Sequence, residues 1–403
     1  MDFSLDAEQL ALRDAVRALL ARSYADFENR RRRVTDEPGF DEKLWSRLAE
    51  MGVLGLPFGE AYGGMGAGPV EVGIVAQELG RVLAPEPFLA SVVLAGGVVA
   101  AAGTEQQKAS ILGPVAAGES VLAFAHAEPG SRWPATASAV RATGSGETWT
   151  LSGVKEPVSH GARADLLVVS ALLDSGPDAG GTGLFLVASE APGLMRTGYP
   201  TYDGGRAARV GFHQTPASPL GTAAQDATAA VSLALDGARI AACNEAVGAM
   251  QFQLAATSDY LRSRRQFGVP LKTFQALTFR AADMYVSLEL ATSVAAWAAM
   301  VLASGSAEEV SEAASRAGLQ VSRAARHVGQ EAIQLHGGIA MTAEYSVGSY
   351  TSHLTALDHL LGDGQFHLRR LAGSVGAHDA VDPLPVPLAV PLPDPLPVSG
   401  PPA

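Results

Sequence analysis

The spacing of apolar residues divides the chain into successive regimes. Through residues 1–119 they recur at helical intervals: Leu10, Leu12, Val16, Leu19 and Leu20 gather on one side of a first helix, and Leu44–Leu54 gives another that ends towards Pro57. From 120 to 225 the period shortens. Val121–Ala125, Trp149–Leu151, Leu166–Ala171 and Gly183–Val187 are short apolar runs bounded by glycine, proline or acidic turns, as expected of strands in a β-barrel or sandwich. Over 226–378 the helical period returns. Ile240, Cys243, Val247, Met250 and Leu254 form one stripe, and Leu277, Ala281, Met284, Leu288 and Ala291 another. Val310, Ala314, Ala317, Val321, Ala324 and Val328 form a third, behind the capping box Ser306-x-x-Glu309. Leu354, Leu357, Leu361, Leu368 and Leu371 predict one more helix, and four such amphipathic helices pack economically as a bundle. Residues 379–403, rich in proline with interleaved leucine and valine, predict an extended or disordered tail.

Composition narrows the class. The 403 residues are 47% hydrophobic and 17% charged, a globular balance with material for two or three domains. A net charge of −12 opposes general binding to nucleic acid. The one compact basic run, Arg30 to Arg33, reads as a solvated helix end. Cys243 is the single cysteine, so no intramolecular disulfide forms and the chain suits a reducing, cytoplasmic compartment; its apolar helical face implies a packed thiol. The start, Met1 to Asp6, has no basic leader region, and no uninterrupted apolar stretch is long enough for a bilayer.

Candidate chemistry lies where the periodicity breaks. Gly337 and Gly338 follow an apolar helix containing Gln334, which is either a simple helix end or a place where a ligand lies against the main chain. Glu60-Ala61-Tyr62-Gly63-Gly64-Met65-Gly66 reads as a connector. Arg264-Arg265-Gln266-Phe267-Gly268-Val269-Pro270, with Gln275 following, fits a charged turn between antiparallel helices. No stretch spells a dinucleotide fingerprint or a phosphate loop. His353, His359 and His367 are spaced by six and eight, which does not keep them on one helical face, so no metal site is predicted. Ser159-His160 lacks the glycines of a nucleophile elbow.

Taken in order, these segments resemble the acyl-CoA dehydrogenase family, flavoproteins that desaturate acyl-CoA thioesters between Cα and Cβ. The likeness runs over roughly 1–375. It covers Glu60–Gly66, the Glu78-Leu79-Gly80 helix, Arg-x-x-Phe-Gly-x-Pro with its glutamine, and Gln-x-x-Gly-Gly. It implies an N-terminal helical domain (1–119), a middle β-domain (120–225) and a C-terminal four-helix bundle (226–378). It also implies FAD, an acyl-CoA substrate and electron-transfer flavoprotein as acceptor. In the family, the residues matching Gln334, Gly337 and Gly338 contact the FAD of a neighbouring subunit. The residue matching Arg264 binds its pyrophosphate, a role that suits a planar, bidentate guanidinium. Phe267 and Gln275 belong to the same set.

The departures are equally specific. Abstraction of the Cα proton needs a carboxylate. The family's Tyr-Glu-Gly turn is Leu360-Leu361-Gly362 here, so Leu361 holds the glutamate position. The alternative position, before an arginine on an earlier helix, is Ala238. Asp363 is the nearest carboxylate and a candidate substitute. Thr-Glu-Pro-x-x-Gly-Ser-Asp becomes Ala127-Glu128-Pro129-Gly130-Ser131-Arg132-Trp133-Pro134, and the aromatic that covers the flavin ring becomes Pro157, although Ser159 still offers a hydroxyl. Marks that the family lends across an interface are kept, while those within a subunit's own cleft are altered. The chain therefore resembles the non-catalytic-type subunit of bacterial α2β2 acyl-CoA dehydrogenases, several of which act on steroid side chains. Two alternatives stand beside this: a homo-oligomeric enzyme with a substitute base, and a scaffold without flavin.

Overall fold

The computed structural model describes residues 3–377, so the tail predicted for 379–403 lies outside it. Acidic residues open the first helices. Asp6 accepts from the Gln9 N–H while the Gln9 side chain returns to Asp6 N–H, a capping box before α1 (Ala7–Tyr24). Asp26 and Asp41 cap α2 (Phe27–Thr35) and α3 (Glu42–Glu50), and proline sits in the first turn of α4 (Pro69–Val82). A π-helical stretch, Phe88–Ala95, leads into α5 (Gly96–Ala102) and then α6 (Glu105–Ala116). Val16 and Leu20 of the predicted first stripe are buried, but Leu10 faces solvent.

Arg32 and Arg33 are exposed in the last turn of α2, as read for the basic run, but Arg30 departs from that reading. Its side chain is buried, and Nε donates to Leu83 O at 2.6 Å. Leu83 closes α4 in a left-handed turn, and carbonyls at helix ends lack partners within the helix; the guanidinium supplies one.

Among the described residues a seven-stranded sheet forms the middle of the chain. Its strands are β1 (Leu122–Ala125), β2 (Arg141–Ser145), β3 (Thr148–Ser159), β4 (Leu166–Leu173), β5 (Thr182–Ala188), β6 (Leu194–Pro200) and β7 (Arg206–Pro219). Strand β4 pairs with β2, then β2 with β3, β3 with β7, β7 with β5 and β5 with β4 again, so the sheet closes into a barrel. β1 runs parallel beside β4, and β6 lies against β7. Trp149, Leu151, Phe185 and Phe212 fill the interior. Lys155 is also inside, wholly buried. It donates to Glu128 Oε1 (2.8 Å), His126 O (2.9 Å) and Ser170 Oγ (3.2 Å), and β3 runs past the apolar run that announced it through its pairing with β7.

The C-terminal helices are α7 (Thr228–Ser263), α8 (Gln275–Ser304) and α9 (Ala307–His336), the last opened by the predicted Ser306–Glu309 capping box. A hairpin of β8 (Arg265–Gln266) and β9 (Val269–Pro270) joins α7 to α8. The predicted fourth helix is two: α10 (Val347–Leu360) and α11 (Gly364–Ser374). Gly362 breaks it at φ +139°, where a Cβ would strike the Phe366 ring, and Asp363 caps the second piece by accepting from Phe366 N–H at 2.7 Å. Helix α7 crosses α4 closely because Gly80 abuts the Glu245 carbonyl and Gly248 that of Gln77.

Helix α8 is long and apolar enough, by length and composition, to cross a membrane, although Arg280, Asp283 and Glu289 interrupt its apolar run. It packs in the bundle through Met284, Leu288, Ala291 and Ala295, and exposes Phe279, Tyr285, Val286 and Leu290 on its outer side.

Candidate functional site

Two regions collect the residues singled out in the sequence. The first is one end of the bundle. Helix α7 ends at Arg264, whose N–H bonds Tyr260 O at 2.8 Å before the backbone turns extended. Four residues earlier, the Tyr260 ring packs 4.5 Å from that of His336, the last residue of α9, and His336 packs against Tyr345 at 5.1 Å. This contact brings the ends of α7 and α9 together. Arg264, Phe267, Gln275, Gln334, Gly337 and Gly338 therefore share one end of the bundle, and all are exposed.

The Arg264 guanidinium has no hydrogen-bond or ion-pair partner among the described residues, and Phe267, at the tip of the β8–β9 hairpin, is 91% exposed. A Cβ added at Gly337 (φ +70°) or Gly338 would meet nothing within 4 Å. An unpaired cation beside open main chain and the N-terminus of α8 suits an anionic group lying against the backbone.

The second region is the cleft between the barrel, the Phe88–Ala95 stretch and α10. A cavity of about 220 Å³ is lined by Phe124, His126, Trp133, Pro157, Ser159 and Leu361. A larger one of about 310 Å³ shares Pro157, Ser159, Leu360 and Leu361 and extends to Glu86, Asp203 and His353. At the two glutamate positions the structure places hydrocarbon: Ala238 is fully buried in α7, and Leu361 ends α10 against the cavities. Asp363, the candidate substitute base, does not line either cavity, and its Oδ1 caps α11.

Ion pairs made within the chain lie beside the cleft. Arg239 pairs with Asp236 at 2.7 Å, and its Nε donates to Leu361 O at 2.8 Å. His353 lies between Asp203 (Nδ1 to Oδ2, 2.8 Å) and Glu245 (Nε2 to Oε1, 2.9 Å). Burial opposes its protonation, but the two carboxylates outweigh it and lift the imidazole to about 9. Burial drives Glu86 up to about 7, against hydrogen bonds from Tyr24 Oη at 2.5 Å and Asp41 N at 3.3 Å.

Burial pushes the Cys243 thiol up to about 12, as befits a packed thiol rather than a nucleophile. His359 is exposed and His367 buried, so with His353 the three histidines have three separate environments.

Sequence reasoning missed His353 and Glu86. The first was weighed only with neighbouring histidines, although its partners lie 150 and 108 residues away. The second carried a legible sign, a lone acid between Pro85 and Pro87 within an apolar stretch.

Residues 6–119 match the acyl-CoA dehydrogenase N-terminal domain, 123–214 the middle domain and 228–376 the C-terminal domain. The chain belongs to the acyl-CoA dehydrogenase family. Acyl-CoA dehydrogenase FadE27 of Mycobacterium tuberculosis is 30% identical over 342 residues, covering 83% of this chain and 88% of that protein. The probable acyl-CoA dehydrogenase YngJ of Bacillus subtilis is 28% identical over 382 residues, covering 92% and 98%. Among solved structures, the Tcur3481–Tcur3483 steroid ACAD aligns with a TM-score of 0.83 and 32% identity, covering 92% of this chain and 98% of that one. The ChsE4–ChsE5 complex from Mycobacterium tuberculosis aligns with a TM-score of 0.83 and 26% identity, covering 94% and 100%.

Proposed function

We propose that this chain is one subunit of an FAD-dependent acyl-CoA dehydrogenase, in which it completes the flavin site of a homologous catalytic subunit and supplies no base of its own. The observation that carries this reading is an asymmetry between the two regions. The bundle end is open, exposed and cationic at Arg264, whereas the cleft has leucine where the proton must be taken and internal ion pairs around it.

The residues present suit one half of FAD and not the other. Arg264 would hold the pyrophosphate by bidentate hydrogen bonds, with Phe267, Gln275, Gln334 and the main chain at Gly337 and Gly338 alongside. At the ring end, Ser159 keeps a hydroxyl, but Pro157 has no N–H and both His126 nitrogens are engaged, by Ser170 and by Pro134 O. When bound, FAD supplies the acceptor for a hydride from Cβ. In this assembly the partner contributes the carboxylate, and this chain's part is to bind and orient the nucleotide end.

Support for a partner comes from the exposed apolar stripe of Phe279, Val286 and Leu290 on α8, a surface suited to cover by another subunit. The likeness to the Tcur3481–Tcur3483 steroid ACAD and to the ChsE4–ChsE5 complex favours a mixed assembly, an α2β2 heterotetramer, acting on a steroid side-chain thioester. Electron-transfer flavoprotein is the acceptor this chemistry calls for.

The test is co-expression with a homologous dehydrogenase subunit. Arg264→Ala should weaken flavin retention by the complex roughly 10- to 100-fold, as loss of a charge-assisted hydrogen bond worth about 1.5–3 kcal/mol requires, without changing the melting of this chain alone. Unchanged flavin retention would remove the bundle end from the cofactor site.

A further inference from the structure

We propose that Trp133 is a built-in plug: it lies across this chain's own cleft, keeps a flavin ring out, and holds the barrel to the C-terminal helices without one. The inference rests on the functional reading above and names the residue that enforces it.

The indole is held at its tip, its flank and its base. At the tip, Nε1 donates to His359 O at 3.0 Å. That carbonyl belongs to the last turn of α10, where main-chain acceptors lack intrahelical partners. At the flank, the ring meets Phe366 edge-on at 5.7 Å. The guanidinium groups of Arg239 and Arg370 lie over Phe366 at 4.9 and 5.4 Å, and both pair with Asp236.

The base is fixed by a relay. Pro134 O can only accept, so His126 donates to it from Nε2 at 2.7 Å. Burial holds that imidazole neutral, lowering it to about 4, and its Nδ1 therefore accepts from the Ser170 hydroxyl at 2.7 Å. The Ser170 oxygen in turn accepts from the buried ammonium of Lys155. The loop carrying Trp133 is thus tied to the barrel interior, while its side chain is tied to α10. Its backbone is left-handed, at φ 52°, an uncommon conformation for a bulky residue that the surrounding contacts must impose. A loop free to swing away would not need to adopt it.

The test uses the purified full chain and lumiflavin, a flavin ring without a nucleotide. Wild type should show no saturable lumiflavin binding, and Trp133→Phe, which keeps one aromatic ring but loses part of the indole's volume and its Nε1–H, should gain less than the variants that open the space. Trp133→Ser should bind lumiflavin at least about tenfold more tightly than the limit set by wild type, melt at a lower temperature without ligand, and recover on adding lumiflavin. Trp133→Leu, which opens part of the same space with an apolar side chain, should show the same gain and serves if the serine variant does not fold. The plug is overturned if wild type takes up lumiflavin as readily as the opened variants, or if folded Ser and Leu variants bind no more than wild type. Flavin counted in the two-subunit complex separates this from the shared-site reading. One flavin per pair of chains with a failed lumiflavin test overturns the plug alone, and two per pair overturns the shared site.

Discussion

Arg239 Nε donates to the main-chain carbonyl of Leu361 at 2.8 Å, tying together the two places where a catalytic glutamate could stand. Arg239 directly follows Ala238, and Leu361 closes α10. Both positions carry hydrocarbon and both are locked into the same buried network through Asp236 and Arg370. The turn that would present a base is therefore fixed by packing as well as lacking the carboxylate.

Leu361→Glu should not confer desaturation on the isolated chain. It should also destabilise the fold by about 3–5 kcal/mol at neutral pH, because it buries a carboxylate against an apolar wall while the nearest guanidinium is already paired. An acyl-CoA assay with an artificial acceptor and a urea titration check both parts. Turnover by the single variant would show that a missing base was the chain's sole defect.

Stability should depend on pH through His353. Its folded value, about 9, lies above the ordinary value of about 6.5, so its contribution is complete below about 6.5 and is lost as pH rises through 9. Melting temperature should fall across that window. His353→Leu should flatten the fall and leave Asp203 and Glu245 buried without their cation, at a cost of about 3–5 kcal/mol near neutrality. A melting curve independent of pH between 7 and 9 would exclude a charged His353.

Glu86 gives a second, lower window. Burial raises this acid to about 7, so the folded state binds the extra proton and the contribution is lost as pH rises from about 4.5 through 7. Glu86→Gln, which keeps the shape without the ionisation, should remove that slope and be relatively more stable at pH 8 than at pH 5. Chemical denaturation at the two pH values decides it; an unchanged slope in the variant would assign the effect elsewhere.

Inside the barrel, Lys155 and Glu128 form a wholly buried pair at 2.8 Å. Lys155→Met should cost about 3–5 kcal/mol by leaving the buried Glu128 carboxylate without its cation, held only by the neutral donors of Ser138, Ala139 and Val140, and the double variant with Glu128→Gln should recover part of that loss. A loss in the double variant equal to the sum of the losses in Lys155→Met and Glu128→Gln alone would mean that the pair is not coupled.

What could be read in advance follows the range of the interactions. The stripes of α7, α8 and α9 and the Ser306–Glu309 box are short-range patterns, and they lie where the sequence puts them. Strands β2 and β6 were not legible: Arg141–Ser145 has little apolar content, and Leu194–Pro200 lies on the outside of β7 with most positions exposed. The break between α10 and α11 was hidden because leucines continue at helical spacing across Gly362. Arg30 turns inward for a carbonyl 53 residues away, and Trp133 reaches one 226 residues away. In the site, the motifs named Arg264, Phe267, Gln334 and the glycine pair, and the Tyr260–His336 contact brings them to one end of the bundle. The segment Gly130 to Pro134 was legible as a departure from the family pattern, but only the fold shows what Trp133 touches.

The most direct measurement counts flavin per chain, spectroscopically, in the purified chain alone and in its complex with a homologous catalytic subunit. The isolated chain should carry none, and the complex one for every two chains. A full complement of FAD on the isolated chain would contradict the shared site.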